Sequence, residues 1–306
     1  MASLTAAAVA QGGYHPAGRA LVIVAVAAAV VVQWAGCSGG RRPTGSVGSA
    51  AVILGLLAVL AAVRAAAAGH LEAAAGWAGS VLAVVAALLL CSSFGGAARA
   101  TVLDGLVWLS AVVAVAGWVG VVWHVERLAT DQDAVWRGAA TLTYANATCA
   151  LIATTALVTL SRLADRPDDR WAALLLTVHF VGIGATLSRA GLVATTAGVV
   201  VLALVHGPRR VTAASAVPLL GALIALAGLA GSWALDSPSG RPAAVLALGT
   251  GLAVTALAHR RVPRVACLVV LTAVAAAALV TTSGALAARI HAGGGVRLAA
   301  HQAAVA

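Results

Sequence analysis

The chain has 306 residues, 62% of them hydrophobic and 9% charged, with a mean hydropathy of +1.02 and a net charge of +10. A soluble domain carries about 25% charged residues, so this composition excludes a soluble globular fold and predicts an all-α, polytopic transmembrane helix bundle. All 19 basic residues are arginine, and they read as charges that orient helices at the membrane surfaces, with no nucleic-acid partner expected.

A spanning helix needs about 20 apolar residues. Ten segments meet or approach that length: 18–36, 47–63, 76–94, 102–123, 138–160, 171–187, 190–206, 211–232, 243–258 and 265–283. The first follows Arg19 and reads as an uncleaved helix. Breaks between segments carry turn chemistry, as in His206-Gly-Pro-Arg-Arg210 and Asp236-Ser-Pro-Ser-Gly240. The expected organisation is a bundle of about ten spans over 1–283, followed by an extracytoplasmic tail, 284–306, interrupted by Gly293-Gly-Gly295. No internal repeat is visible.

Numbering the loops by side puts 11 arginines with Arg209, Arg210 and Arg264, and 8 with Arg189 and Arg241. The positive-inside rule assigns the first set to the cytoplasm and Arg189 to the outer face. The four cysteines, Cys37, Cys91, Cys149 and Cys267, form no CxxC pair and read as small buried hydrophobes. No His/Cys set has metal-ligand spacing, so neither a metal nor another cofactor is expected. Asp104 is the one acidic residue beside a span. Proton-coupled carriers rely on intramembrane carboxylates, so the scarcity of acids argues against a transporter.

Two polar stretches stand out. In Thr186-Leu-Ser-Arg-Ala-Gly191 a permanent cation, Arg189, falls between two apolar runs with almost no loop. Its guanidinium presents a rigid fork of donors suited to phosphate. Thr186 and Ser188 add hydroxyls, Gly191 permits close backbone approach, and a helix N-terminus favours an anion. The alternative is an interfacial arginine that reaches out to lipid headgroups. The other stretch, Tyr144-Ala-Asn-Ala-Thr148, ends 38 residues earlier and places Asn146 about two turns into a helix, where it serves either a site or a helix–helix hydrogen bond. His179 precedes Arg189 by ten residues, roughly 80° around the helix. It lines the same cavity or is a satisfied buried histidine.

At these residues the chain resembles the O-antigen ligase/polymerase superfamily, integral membrane enzymes that use polyprenyl-pyrophosphate-linked glycans. Leu142-Thr-Tyr-Ala-Asn-Ala147 is similar to the segment that opens one family helix, and Thr186 to Gly191 to the segment that opens another. Gly207-Pro-Arg-Arg210 matches the usual basic turn, and the resemblance covers about residues 76–305. Arg297-Leu-Ala-Ala-His301 is similar to an external-loop arginine pattern. The Pro-x-x-Gly-x-Gly stretch and the histidine that follow in the family have no counterpart, so the chain is expected to be either truncated or a degenerate member.

The resemblance implies a metal-independent glycosyltransferase of the GT-C type in the bacterial cytoplasmic membrane, taking an undecaprenyl-pyrophosphate glycan for surface polysaccharide. It implies Arg189 and Arg297 as catalytic; Thr186, Ser188, Gly191, Tyr144, Asn146 and His179 are the candidate substrate-binding residues around them. Two other functions compete: a ten-helix small-molecule permease or exporter, and a non-catalytic binder of lipid-linked glycans. An internal five-helix repeat would favour the permease.

Overall fold

The computed structural model describes residues 96–258, other than 133, 134, 143 and 236, together with a few positions between 56 and 67. Within them, six helices run in chain order: α1 (Gly96–Trp123), α2 (Ala145–Asp165), α3 (Arg170–Ala185), α4 (Arg189–His206), α5 (Pro208–Leu229) and α6 (Pro242–Ala258). Four are long and apolar enough to cross a membrane: α1, α2, α4, and α5 with the 3-10 turn that extends it to Ser232. The other two, α3 and α6, are apolar but shorter.

The six helices correspond to the six segments expected from 102 to 258. The number of helices agrees, but α1 begins six residues earlier than expected and α2 is displaced toward the C-terminus at both ends. Gly138 ends a strand, Ala140–Leu142 form a 3-10 turn, and α2 begins only at Ala145. Asn146 therefore lies in the first turn of its helix, not two turns in. The described region is also not purely helical. Strands β1 (Ala129–Gln132) and β2 (Val135–Gly138) form an antiparallel hairpin, with Ala129 opposite Gly138 and Thr130 opposite Arg137. The expected segments before residue 96 and after 258 lie outside the residues that can be compared in this way.

Short connections make successive helices alternate in direction. At one end of the bundle lie the hairpin, the 186–188 turn and the 230–241 connection. Arg137 Nε donates to the Thr186 carbonyl at 3.0 Å, and the Trp136 amide to the Trp233 carbonyl at 2.8 Å. At the other end Arg162 pairs with Asp104, and His206 Nε2 lies 3.2 Å from Ser161 Oγ. Here Asp169 caps α3 by accepting from the Ala172 amide, and Gly207, at φ 89°, turns the chain from α4 into α5. Arg189 and Arg209 thus lie at opposite ends of the bundle, separated by the length of α4.

Hydrophobicity does not choose the buried faces, because these helices are apolar all round. Small residues and hydroxyls choose them instead, as in other membrane bundles. The short helix α3 is central and packs on α1, α2, α5 and α6. In mid-bundle, His179 Nε2 lies 2.7 Å from Ser110 Oγ and 3.3 Å from the Val107 carbonyl, while Ser110 Oγ lies 2.5 Å from Thr155 Oγ1. One histidine on α3 thereby ties α1 and, through Ser110, α2. Thr177 and Thr255 meet at 3.0 Å between α3 and α6.

The hairpin folds back against the end of α1. Ala139 and Ala140 both donate to the Leu128 carbonyl, and Val125 to that of Gly120. Ala129, Ala139 and Ala140 are buried. Non-helical backbone at such a level is tolerated where protein covers it.

Candidate functional site

Two helix starts build the site. α3 ends at Ala185 and α4 begins at Arg189, so three residues reverse the chain, and Leu187 takes a left-handed conformation at φ 50° to do it. That geometry is costly for a residue with a side chain. Ser188 caps α4: its Oγ accepts from the Gly191 amide at 3.0 Å. Beside it, α2 begins after Tyr144 and presents Asn146.

Asn146 joins the two motifs. Its Oδ1 accepts from Ser188 Oγ at 2.9 Å and from Arg137 Nη2 at 3.3 Å, and its Nδ2 donates to the Tyr144 hydroxyl at 2.8 Å. Arg137 also holds the Thr186 carbonyl, where α3 ends and its dipole is negative. Thr186 Oγ1 donates to the Ile183 carbonyl at 2.7 Å and accepts from the Ser188 amide. Arg189 and Tyr144 are exposed at this end, while Thr186 and Ser188 are buried.

Tyr144, Asn146, Thr186, Ser188 and Arg189 therefore come together, although 38 residues separate the two motifs. Three expectations need correction. Gly191 faces no ligand space; a Cβ there would lie 2.1 Å from Cys149 Sγ, so its missing side chain lets α4 touch α2. The Thr186 and Ser188 hydroxyls are engaged with helix ends and with Asn146, so they shape the turn. His179 is fully buried, seven residues before Thr186 and so roughly 10 Å down the axis. It belongs to the interhelical tie, not to this end. Arg297 lies outside the described residues.

Arg137 was not expected here. In sequence it is one more arginine between spans, counted for orientation. What brings it into the site is the hairpin, where Arg137 and Trp136 alternate to opposite faces. No signal local to Val135-Trp-Arg-Gly138 reveals the partner at Asn146.

Chemically, the site offers two guanidinium-bearing elements around a helix N-terminus, one guanidinium braced by Asn146 and the other free to reach solvent. That suits a di-anionic group at a membrane surface. Among the described residues, no group of three or more His, Cys, Asp or Glu is placed to hold a metal. No family model, curated protein or solved structure matches the chain.

Proposed function

We propose that this end of the bundle binds the pyrophosphate of a polyprenyl-linked glycan, and that the protein serves glycan transfer of the O-antigen ligase or polymerase kind in a bacterial cytoplasmic membrane. One observation carries the reading. Asn146 Oδ1 is the shared acceptor of Ser188 and Arg137, so the two motifs close around the first turn of α4, where Arg189 is exposed. Arg189 and Arg137 would hold the diphosphate and offset charge on it as a leaving group. A permease would need a polar path through the bundle. Among the described residues, Ser110, Thr155 and His179 Nε2 are instead joined across helices in one cluster.

Affinity for undecaprenyl pyrophosphate in nanodiscs tests the assignment. Arg189→Ala should weaken binding roughly tenfold to a hundredfold, the worth of a charge-assisted contact of about 1.5–3 kcal/mol. Arg189→Lys keeps the charge but loses the fork and should fall between. Arg166→Ala, exposed in the turn at the opposite end, should bind like the parent. If folded Arg189→Ala also binds like the parent, the lipid-pyrophosphate reading fails.

The same reading places the Arg189 end outside the cell. Single cysteines at Ser239 and Asp168, exposed at opposite ends, report this in a Cys-free background. An impermeant maleimide should label position 239 in intact cells and position 168 only after lysis. The reverse pattern inverts the topology.

A further inference from the structure

We propose that the β1–β2 hairpin is a mobile strap, exchanging between the position described above and one lifted off the 230–241 connection, and carrying Arg137 onto and off the anion site. The second half rests on the pyrophosphate reading.

Three observations converge. The first is strain. Among the described residues, three non-glycine residues have positive φ: His124 (53°), Ala140 (49°) and Leu187 (50°). Two bracket the hairpin and the third lies in the turn that Arg137 touches. Left-handed backbone at such positions concentrates in switch regions, where it persists because neighbours hold it.

The second is the seam. Eight buried side-chain polar atoms lack a partner among the described residues, and five gather here: the indole nitrogens of Trp118, Trp136 and Trp233, Ser232 Oγ and Arg241 Nε. Four of these are donors with no acceptor. Each has lost water without gaining a hydrogen bond, so the closed seam is paid for by the contacts around it. Its polar contacts among the described residues are the Trp136 amide to the Trp233 carbonyl at 2.8 Å, the Val135–Ala234 bridge, and His124 Nε2 to the Ser232 carbonyl at 3.1 Å and to Ser237 Oγ at 3.4 Å; the Trp136 and Trp233 rings add apolar packing around Trp118. Lifting the hairpin would hydrate the orphaned donors and release the strained ends.

The third is placement. Trp136 faces the seam and Arg137, the next residue, reaches Asn146 and the Thr186 carbonyl. Lifting β2 at Trp136 therefore withdraws the guanidinium from the turn that carries Arg189.

A disulfide can lock the strap. Val135 and Ala234 form an antiparallel bridge in which Trp136 N bonds Trp233 O. They are thus a non-hydrogen-bonded pair, with Cα atoms about 4.5 Å apart, within disulfide reach. Val135→Cys/Ala234→Cys is made in a background lacking the four native cysteines, and its reduced form is the folding control.

Two readouts are expected. In ligand-free nanodiscs, amide exchange in peptides covering 135–140 should be at least tenfold faster than in α3 peptides, and oxidation should slow it at least tenfold. For undecaprenyl pyrophosphate, oxidation should slow both association and dissociation tenfold or more. Exchange at 135–140 as slow as in α3 in the reduced protein overturns the strap. Fast exchange with binding rates indifferent to the lock overturns its coupling to the site. Fast exchange slowed by the lock, with no binding by any form, retains the strap and removes the pyrophosphate assignment alone.

Discussion

Gly221→Leu is expected to lower the melting temperature of the detergent-solubilised protein by roughly 10 °C, or to prevent its recovery in folded form. Gly221 on α5 and Gly251 on α6 meet backbone to backbone. A Cβ at 221 would lie 2.5 Å from the Gly251 carbonyl oxygen and 2.3 Å from Thr255 Oγ1; one at 251 would lie 2.2 Å from the Gly221 carbonyl oxygen. Rotating a side chain does not relieve a clash with a carbonyl, so the helices must separate. Separation also pulls Thr255 from Thr177, 3.0 Å away on α3. Overpacking costs about 1–3 kcal/mol and sometimes more, and a contact between two backbones belongs at the top of that range. At about 2–4 °C per kcal/mol for a chain of this order of size, the shift is readily seen. Gly249→Ala, on α6 with nothing within 4 Å of its Cβ, is the control. It should leave the melt unchanged or raise it, because alanine favours helix over glycine by roughly 1 kcal/mol. A Gly221→Leu protein that melts with the parent would show that α5 and α6 do not meet in this way.

Asn146 should separate structure from binding. Asn146→Leu removes the acceptor shared by Ser188 and Arg137 and the donor to Tyr144. A hydrogen bond to a charged group contributes about 1.5–3 kcal/mol and neutral ones about 0.5–1.5 kcal/mol. With the end partly open to water, a loss of roughly 2–3 kcal/mol is expected, together with weaker binding of undecaprenyl pyrophosphate. Asn146→Asp keeps an acceptor facing both partners and adds an opposite charge to Arg137. It should melt close to the parent. It should nonetheless bind pyrophosphate about tenfold more weakly, a difference of about 1.4 kcal/mol, because its carboxylate competes with the ligand for the guanidinium. Parent-like binding by Asn146→Asp would remove Arg137 from the anion site.

Hydropathy could find the six apolar helices between 96 and 258, four of them long enough to cross a membrane, because burial in lipid demands long apolar runs. It could not find where α2 starts. Gly138-Ala-Ala-Thr-Leu142 reads like the opening of a helix, yet Ala139 and Ala140 are buried in a non-helical turn against α1. Side-chain polarity alone does not distinguish the two situations. The hairpin escaped for a related reason: its strands are four residues each, and their stability comes from α1 and the 230–241 connection, not from local propensity. At the site, the two motifs were legible because polar groups are conspicuous among alanines and valines. Arg137 was not, since its role depends on a fold-back that no residue spacing announces. Gly191 was legible as a close approach but was assigned the wrong partner; only the packing reveals Cys149.

α4 has a consequence for the membrane itself. It is 18 residues long, about 27 Å at 1.5 Å per residue, against a hydrocarbon layer of about 30 Å. Arg189 opens it, Arg209 and Arg210 follow its end, and Leu192, Val193, Val200, Val201, Leu204 and Val205 along it are exposed. The helix is thus a ruler with a cation at each mark and, among the described residues, few neighbours to relieve the fit. A thicker bilayer draws either Arg189 or the Arg209–Arg210 pair toward hydrocarbon, and the lipid must thin or the guanidinium must stretch outward to compensate. Acyl-chain length therefore becomes a control on how far Arg189 projects into water, set by the composition of the surrounding bilayer.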